Sequence, residues 1–97
     1  CTAAELNTTF TTANAGGIGI ATGTGHISIG YGPAVAPAAT NRLVLNATTN
    51  GNALAAGVIP ATNIRWDCYA AGVATRATLP VAGGPTLLQK YAPSDCR

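Results

Sequence analysis

The side chains that could do chemistry are few. The chain has one histidine, His26, three acidic residues, Glu5, Asp67 and Asp95, and three cysteines, Cys1, Cys68 and Cys96. A hydrolytic triad needs a histidine held between a nucleophile and an orienting acid. Ser28 stands two residues after His26 and could share its strand face, but no acid lies near either of them in the sequence. A metal centre needs three or four ligands at tight spacing, and one histidine and three cysteines at positions 1, 26, 68 and 96 do not have it. Paired carboxylates for glycoside hydrolysis would have to be Asp67 and Asp95. Each stands two residues from an arginine, Arg65 or Arg97, so ion pairing is the simpler role. His26 reads as a solvated strand residue. No catalytic residue, metal site or cofactor is expected.

The totals point the same way. Ninety-seven residues make one small domain. Only 8% of them are charged and 47% are apolar, whereas soluble monomers carry more charge on their surfaces. Much of the apolar share is alanine. Such a chain either packs against copies of itself or reflects the base composition of its genome. The five cations, Arg42, Arg65, Arg76, Lys90 and Arg97, are scattered and leave the net charge at only +2. Nucleic-acid binding draws on clustered phosphate contacts, so no specific nucleic-acid site is expected. No stretch reaches the roughly 20 apolar residues of a membrane span, and no signal peptide is visible. With Cys1 first and no methionine, the chain reads as a processed product or an excised piece.

Positioning elements follow from periodicity. Ala3, Leu6, Phe10 and Ala13 recur at helical spacing, and Thr2 with Glu5 forms a possible capping box. A short helix over 2–13 is predicted. It is too short to hold alone in water, so Leu6 and Phe10 must dock on a sheet. Residues 14–25 are glycine-rich and read as a connection. A phosphate-binding loop would need a strand before it and a Lys-Ser/Thr after it, and neither is expected here. His26 to Tyr31 alternates with period two, with Ile27, Ile29 and Tyr31 on one face. Residues 42–48 read as a second strand carrying Leu43 and Leu45, followed by the Asn50-Gly51 turn signal. Residues 63–70 read as a third, with Ile64, Trp66, Cys68 and Ala70 inward and Arg65, Asp67 and Tyr69 outward. Residues 79–91, interrupted by Gly83-Gly84-Pro85, read as an edge strand or irregular loop. The order is a helix, three or four antiparallel strands and a tail, an α+β two-layer arrangement. The expected core is Leu6, Phe10, Ile27, Ile29, Leu43, Leu45, Ile64 and Trp66. The sequons at Asn7 and Asn46 are chance matches in a Thr/Asn-rich chain.

Two segments carry a family resemblance. Ile64-Arg65-Trp66-Asp67-Cys68 is followed by a long Ala/Gly/Thr/Pro-rich stretch and then by Lys90-Tyr91-Ala92-Pro93-Ser94-Asp95-Cys96-Arg97. This resembles the C-terminal region of type IV pilins, where a Trp-x-Cys strand and a terminal Tyr-x-Pro-x-x-Cys segment close the disulfide-bonded D-region. The resemblance is specific for residues 64–97 and implies a Cys68–Cys96 bridge, hence an oxidising compartment. Cys1 is then left as a free thiol, a half-cystine whose partner is missing, or an intermolecular link.

The resemblance implies a type IVa-like, N-terminally truncated globular head forming a single domain over 1–97. Its parts would be a helix remnant at 1–13, a helix-to-sheet loop at 14–25, an antiparallel sheet at 26–70 and a disulfide-closed loop at 68–96. It implies a structural pilus subunit, anchored in the inner membrane before assembly and extracellular afterwards, whose missing helix packs with copies of itself. Adhesion, twitching motility and DNA uptake are the implied activities. The alternative is a minor pilin or receptor-binding module whose loop meets a host or surface receptor through Tyr69, Arg76, Lys90 and Tyr91. A type II secretion pseudopilin, which often uses calcium where pilins use the disulfide, fits less well. A conductive filament fits least, since the five aromatics read as core and loop anchors.

Overall fold

The computed structural model describes residues 15–21, 23–76 and 84–97. They form a five-stranded antiparallel sheet: β1 (Ala15–Ile20), β2 (Ile27–Tyr31), β3 (Arg42–Thr49), β4 (Asn52–Ala53) and β5 (Ile64–Tyr69). β1, β2 and β3 are consecutive neighbours. The short β4 pairs with the far end of β3, and β5 also pairs with β3. Three 3₁₀ turns, at Ala38–Thr40, Gln89–Tyr91 and Ser94–Cys96, complete the elements. No α-helix occurs among the described residues. The helix predicted over 2–13, with Leu6 and Phe10, lies outside them.

The strands at 27–31 and 42–49 lie where alternation placed them. Ile27 pairs with Leu45 and Ile29 with Leu43, so the four share one sheet face. Asn50 and Gly51 both have positive φ, 50° and 77°. A two-residue type I′ hairpin needs this, and it joins β3 to β4 with Thr49 opposite Asn52.

The segment read as a helix-to-sheet loop, 14–25, is corrected. Residues 15–20 form strand β1, with Ile18 opposite Ile29 and Ile20 opposite Ile27. Glycine is a weak strand former, and three glycines hid the two-residue spacing of the isoleucines. Pairing along β2 supplies what intrinsic propensity does not. The register slips between Ala15 and Gly17. Gly17 takes a φ of 146°, which a side chain rarely adopts, and so accommodates this bulge.

The face assignment of β5 is also corrected. Its register sets Cys68 opposite Leu45, Trp66 opposite Ala47 and Ile64 opposite Thr49 on one face. Tyr69, Asp67 and Arg65 stand opposite Val44, Asn46 and Thr48 on the other. Ala70 is fully buried and Cys68 half-buried, as expected. Ile64 and Trp66, however, are 46% and 49% exposed, whereas Asp67 and Tyr69 are buried. Tyr69 and Asp67 are buried on the opposite face with Val44, Asn46 and Thr48, Tyr69 beneath the Arg76 guanidinium. On the Trp66 face the physical reason is the reach of the C-terminal segment. The core cluster of Ala36, Leu43, Ala70, Leu87, Ala92 and Cys96, with Ile29, Tyr31 and Cys68 against it, gathers at the Tyr69 end of β5. Ile64 and Trp66 lie beyond it at the other end. Leu43 is therefore core, while Ile27, Ile29 and Leu45 are half-buried.

A consequence for stability follows. Truncating a fully buried tryptophan would cost about 3–5 kcal/mol. For half-exposed Trp66, Trp66→Ala is expected to cost roughly 1 kcal/mol. Urea denaturation checks this, and a loss above about 3 kcal/mol would mean the side chain is covered in solution.

Candidate functional site

The residues that the sequence singles out for function converge on the C-terminal end of β5. Beyond Tyr69 the chain leaves the sheet, and residues 84–97 return beside it. Backbone hydrogen bonds dock the returning segment: Ala70 N–H donates to Cys96 O at 2.8 Å and Ala71 N–H to Leu87 O at 2.9 Å. Thr86 and Leu87 N–H both donate to Arg42 O, and Arg42 N–H donates to Thr86 Oγ1. Gln89 Nε2 donates to Ala71 O. Leu87, fully buried, and Ala92 anchor the segment in the core. Pro93 precedes the turn at Ser94–Cys96 in an extended conformation, φ −56° and ψ 153°, which its ring favours.

Cys68 and Cys96 are joined by a disulfide across 28 residues. The bridge ties the last residues of β5 to the last turn, so the intervening stretch is closed at its base. A second tie does not involve sulfur. Arg76 Nη1 donates to Cys68 O at 2.9 Å and to Asp95 O at 2.6 Å, and its Nη2 donates to Arg97 O at 2.8 Å. One guanidinium thus holds backbone carbonyls from both sides of the bridge. Its planar fork suits several fixed acceptors as a lysine ammonium does not. Arg76 N–H also donates to Tyr69 Oη at 2.8 Å, and the guanidinium carbon lies 5.4 Å from the Tyr69 ring centroid. Arg76→Ala is expected to cost about 1–3 kcal/mol, discounting charged hydrogen bonds for solvent exposure. Arg76→Lys should recover less than half of it. Thermal melts of the three proteins test this, and full rescue by lysine would show that charge alone matters.

The four candidate receptor contacts separate. Tyr69 is 1% exposed, with its hydroxyl taken by Arg76, so it cannot touch a partner. Arg76 is engaged as a clamp. Lys90 and Tyr91 remain at the surface, the ammonium 4.8 Å from the Tyr91 ring centroid and Tyr91 45% exposed. The expected ion pairs separate likewise. Arg65 pairs with Asp67 at 2.9 Å, whereas Arg97 Nε donates to Ala92 O. His26 lies in the β1–β2 turn with Nδ1 2.9 Å from Thr24 Oγ1. Among the described residues no three His, Cys, Asp or Glu side chains group as metal ligands. Asn46 is buried in β3, which excludes its amide from glycosylation in the folded chain. Arg76 was missed as a structural element because its acceptors, the carbonyls of Cys68, Asp95 and Arg97, leave no trace in side-chain identity.

A sheet ending in a disulfide-closed C-terminal segment is the architecture the resemblance implied, and the family comparison agrees. The model for pilin, a bacterial filament protein, matches residues 1–97. The chain belongs to the pilin family. No curated protein and no solved structure matches it. Pilins are structural subunits that assemble into multimeric filaments, extracellular pili at the cell surface. The bridge suits that setting, because disulfides persist in oxidising compartments.

Proposed function

We propose that this pilin is the globular head of a type IV pilus subunit and that its filaments support surface adhesion, twitching motility and DNA uptake. The observation that carries the reading is the closed C-terminal segment, bridged by Cys68–Cys96 and clamped by Arg76. A filament exposed to flow and to proteases needs its irregular surface loops tied down, and this segment is tied twice. In this reading an apolar N-terminal helix anchors the subunit in the inner membrane before assembly and packs in the filament core afterwards. Among the described residues no helix is long and apolar enough to cross a membrane.

Mass spectrometry of filaments sheared from the source cells tests the proposal. The expected result is this chain as an abundant component, extended by an apolar helix, with attachment and twitching lost when its gene is deleted. Its absence from sheared filaments would overturn the reading.

A second reading, a minor pilin or receptor-binding module, is favoured by one observation. Lys90 and Tyr91 present a cation over a half-exposed aromatic ring at the surface of the closed loop. An oxidised peptide of residues 68–96 should then block attachment and its reduced form should not. Failure of both removes the support for this reading.

A further inference from the structure

The disulfide and the Arg76 clamp close the same stretch of chain by different chemistry. Cys68 and Cys96 are 28 residues apart, and a free chain of that length rarely brings its ends together, because closure costs conformational entropy. The clamp uses no sulfur. Arg76 Nη1 donates to the carbonyl of Cys68 itself and to that of Asp95, the residue before Cys96, at 2.9 and 2.6 Å. Its Nη2 donates to the carbonyl of Arg97, the residue after Cys96, at 2.8 Å. One guanidinium therefore brackets Cys96 on both sides and holds it beside Cys68. The Ala70 N–H donates to Cys96 O at 2.8 Å and reinforces the same pairing. Tyr69 fixes Arg76 in turn, through its ring and through its hydroxyl, 2.8 Å from the Arg76 N–H. Every acceptor in this set is still present when the cysteines are thiols.

Two ties that close one loop are coupled. Whichever forms first leaves less entropy for the other to lose, and the coupling is reciprocal. The two sulfurs also differ in access, Cys68 being half-buried and Cys96 4% exposed. A small disulfide oxidant such as oxidised glutathione therefore meets Cys68 first. The Cys68 thiolate attacks one glutathione sulfur, one glutathione leaves as its thiolate, and a mixed disulfide remains on Cys68. The Cys96 thiolate then attacks the Cys68 sulfur and expels the second glutathione thiolate. In sum, two protein thiols give up two electrons and two protons to one oxidised glutathione, which becomes two reduced ones. Only the second exchange needs the cysteines side by side, and holding reactants in place is what makes such a step fast.

We propose that Arg76 is the positioning residue for bridge formation: it docks Cys96 beside Cys68 while both are thiols, which speeds the second exchange and makes the finished bridge harder to reduce. This property belongs to the head itself, whatever filament the head serves.

Exchange with glutathione tests it, on the 97-residue chain in a Cys1→Ser background, so that a single pair forms. Samples are alkylated and weighed by mass spectrometry, which resolves the dithiol, the mixed disulfide and the bridge. Arg76→Ala is expected to lower the equilibrium constant for bridge formation by about tenfold, equivalent to about 30 mV for a two-electron couple. Arg76→Lys, which lacks the planar fork, should lower it by roughly threefold or more. In Arg76→Ala the mixed disulfide on Cys68 should also accumulate, because its formation is unchanged and its closure is slowed. Ile20→Ala separates positioning from loss of stability. It truncates a half-buried side chain in β1, which β2 and β3 separate from β5, and should leave both readouts unmoved. An unchanged constant in Arg76→Ala, a mixed disulfide that closes as fast as in the parent, or a fall that Ile20→Ala matches would overturn the proposal.

Discussion

Cys96→Ser is expected to destabilise the protein by about 3.5 kcal/mol, the chain-entropy value for a closed loop of this length. For a domain of 60–100 residues this lowers the melting temperature by roughly 15–25 °C. Small domains hold only about 5–15 kcal/mol in total, so the bridge is a large share of it. Cys96 is also buried against Leu43, Ala70, Leu87 and Ala92, and a serine hydroxyl there adds to the loss. Reduction of the unmodified protein should shift the melt by nearly as much, because the bridge acts mainly on the unfolded chain. A shift of only a few degrees in both cases would mean that the Arg76 clamp and the backbone bonds at Ala70 and Ala71 alone hold the segment.

Tyr69→Ala carries the other large effect. Tyr69 is 1% exposed, pairs with Val44 across the sheet, lies under the Arg76 guanidinium and accepts the Arg76 N–H on its hydroxyl. Removing a buried aromatic ring costs about 3–5 kcal/mol. Tyr69→Phe keeps the ring and loses only the acceptor, which should cost about 1–2 kcal/mol. Tyr69→Ala and Arg76→Ala should be non-additive, because each removes the contact between the guanidinium and the ring, whereas the hydroxyl accepts from the Arg76 backbone N–H, which Arg76→Ala keeps. A double-mutant cycle should return a coupling of roughly 0.5–2 kcal/mol. A Tyr69→Ala loss below about 1 kcal/mol would mean that the ring is not buried in solution.

The sequence by itself determined the local elements and the staple. Alternation marked β2, β3 and β5 because strands place successive side chains on opposite faces. Asn50-Gly51 marked a hairpin because few other pairs tolerate two positive φ values. The spacing of Trp66, Cys68, Tyr91, Pro93 and Cys96 carried the family resemblance and with it the bridge. Only the tertiary structure decided the rest. Ile18 and Ile20 became a strand through pairing with Ile29 and Ile27, against the weak propensity of their glycines. Alternation shows that the two faces of β5 differ, but not how far along each face a cover extends. That extent is set by where residues 84–97 land, through the Cys68–Cys96 bridge, the Arg76 clamp and the bonds to Ala70 and Ala71. These contacts join residues far apart in the chain, and several use backbone carbonyls that every residue has. Hence Trp66, read as core, stands at the surface, while Tyr69, read as outward, is buried on the opposite face, where Arg76 folds over its ring.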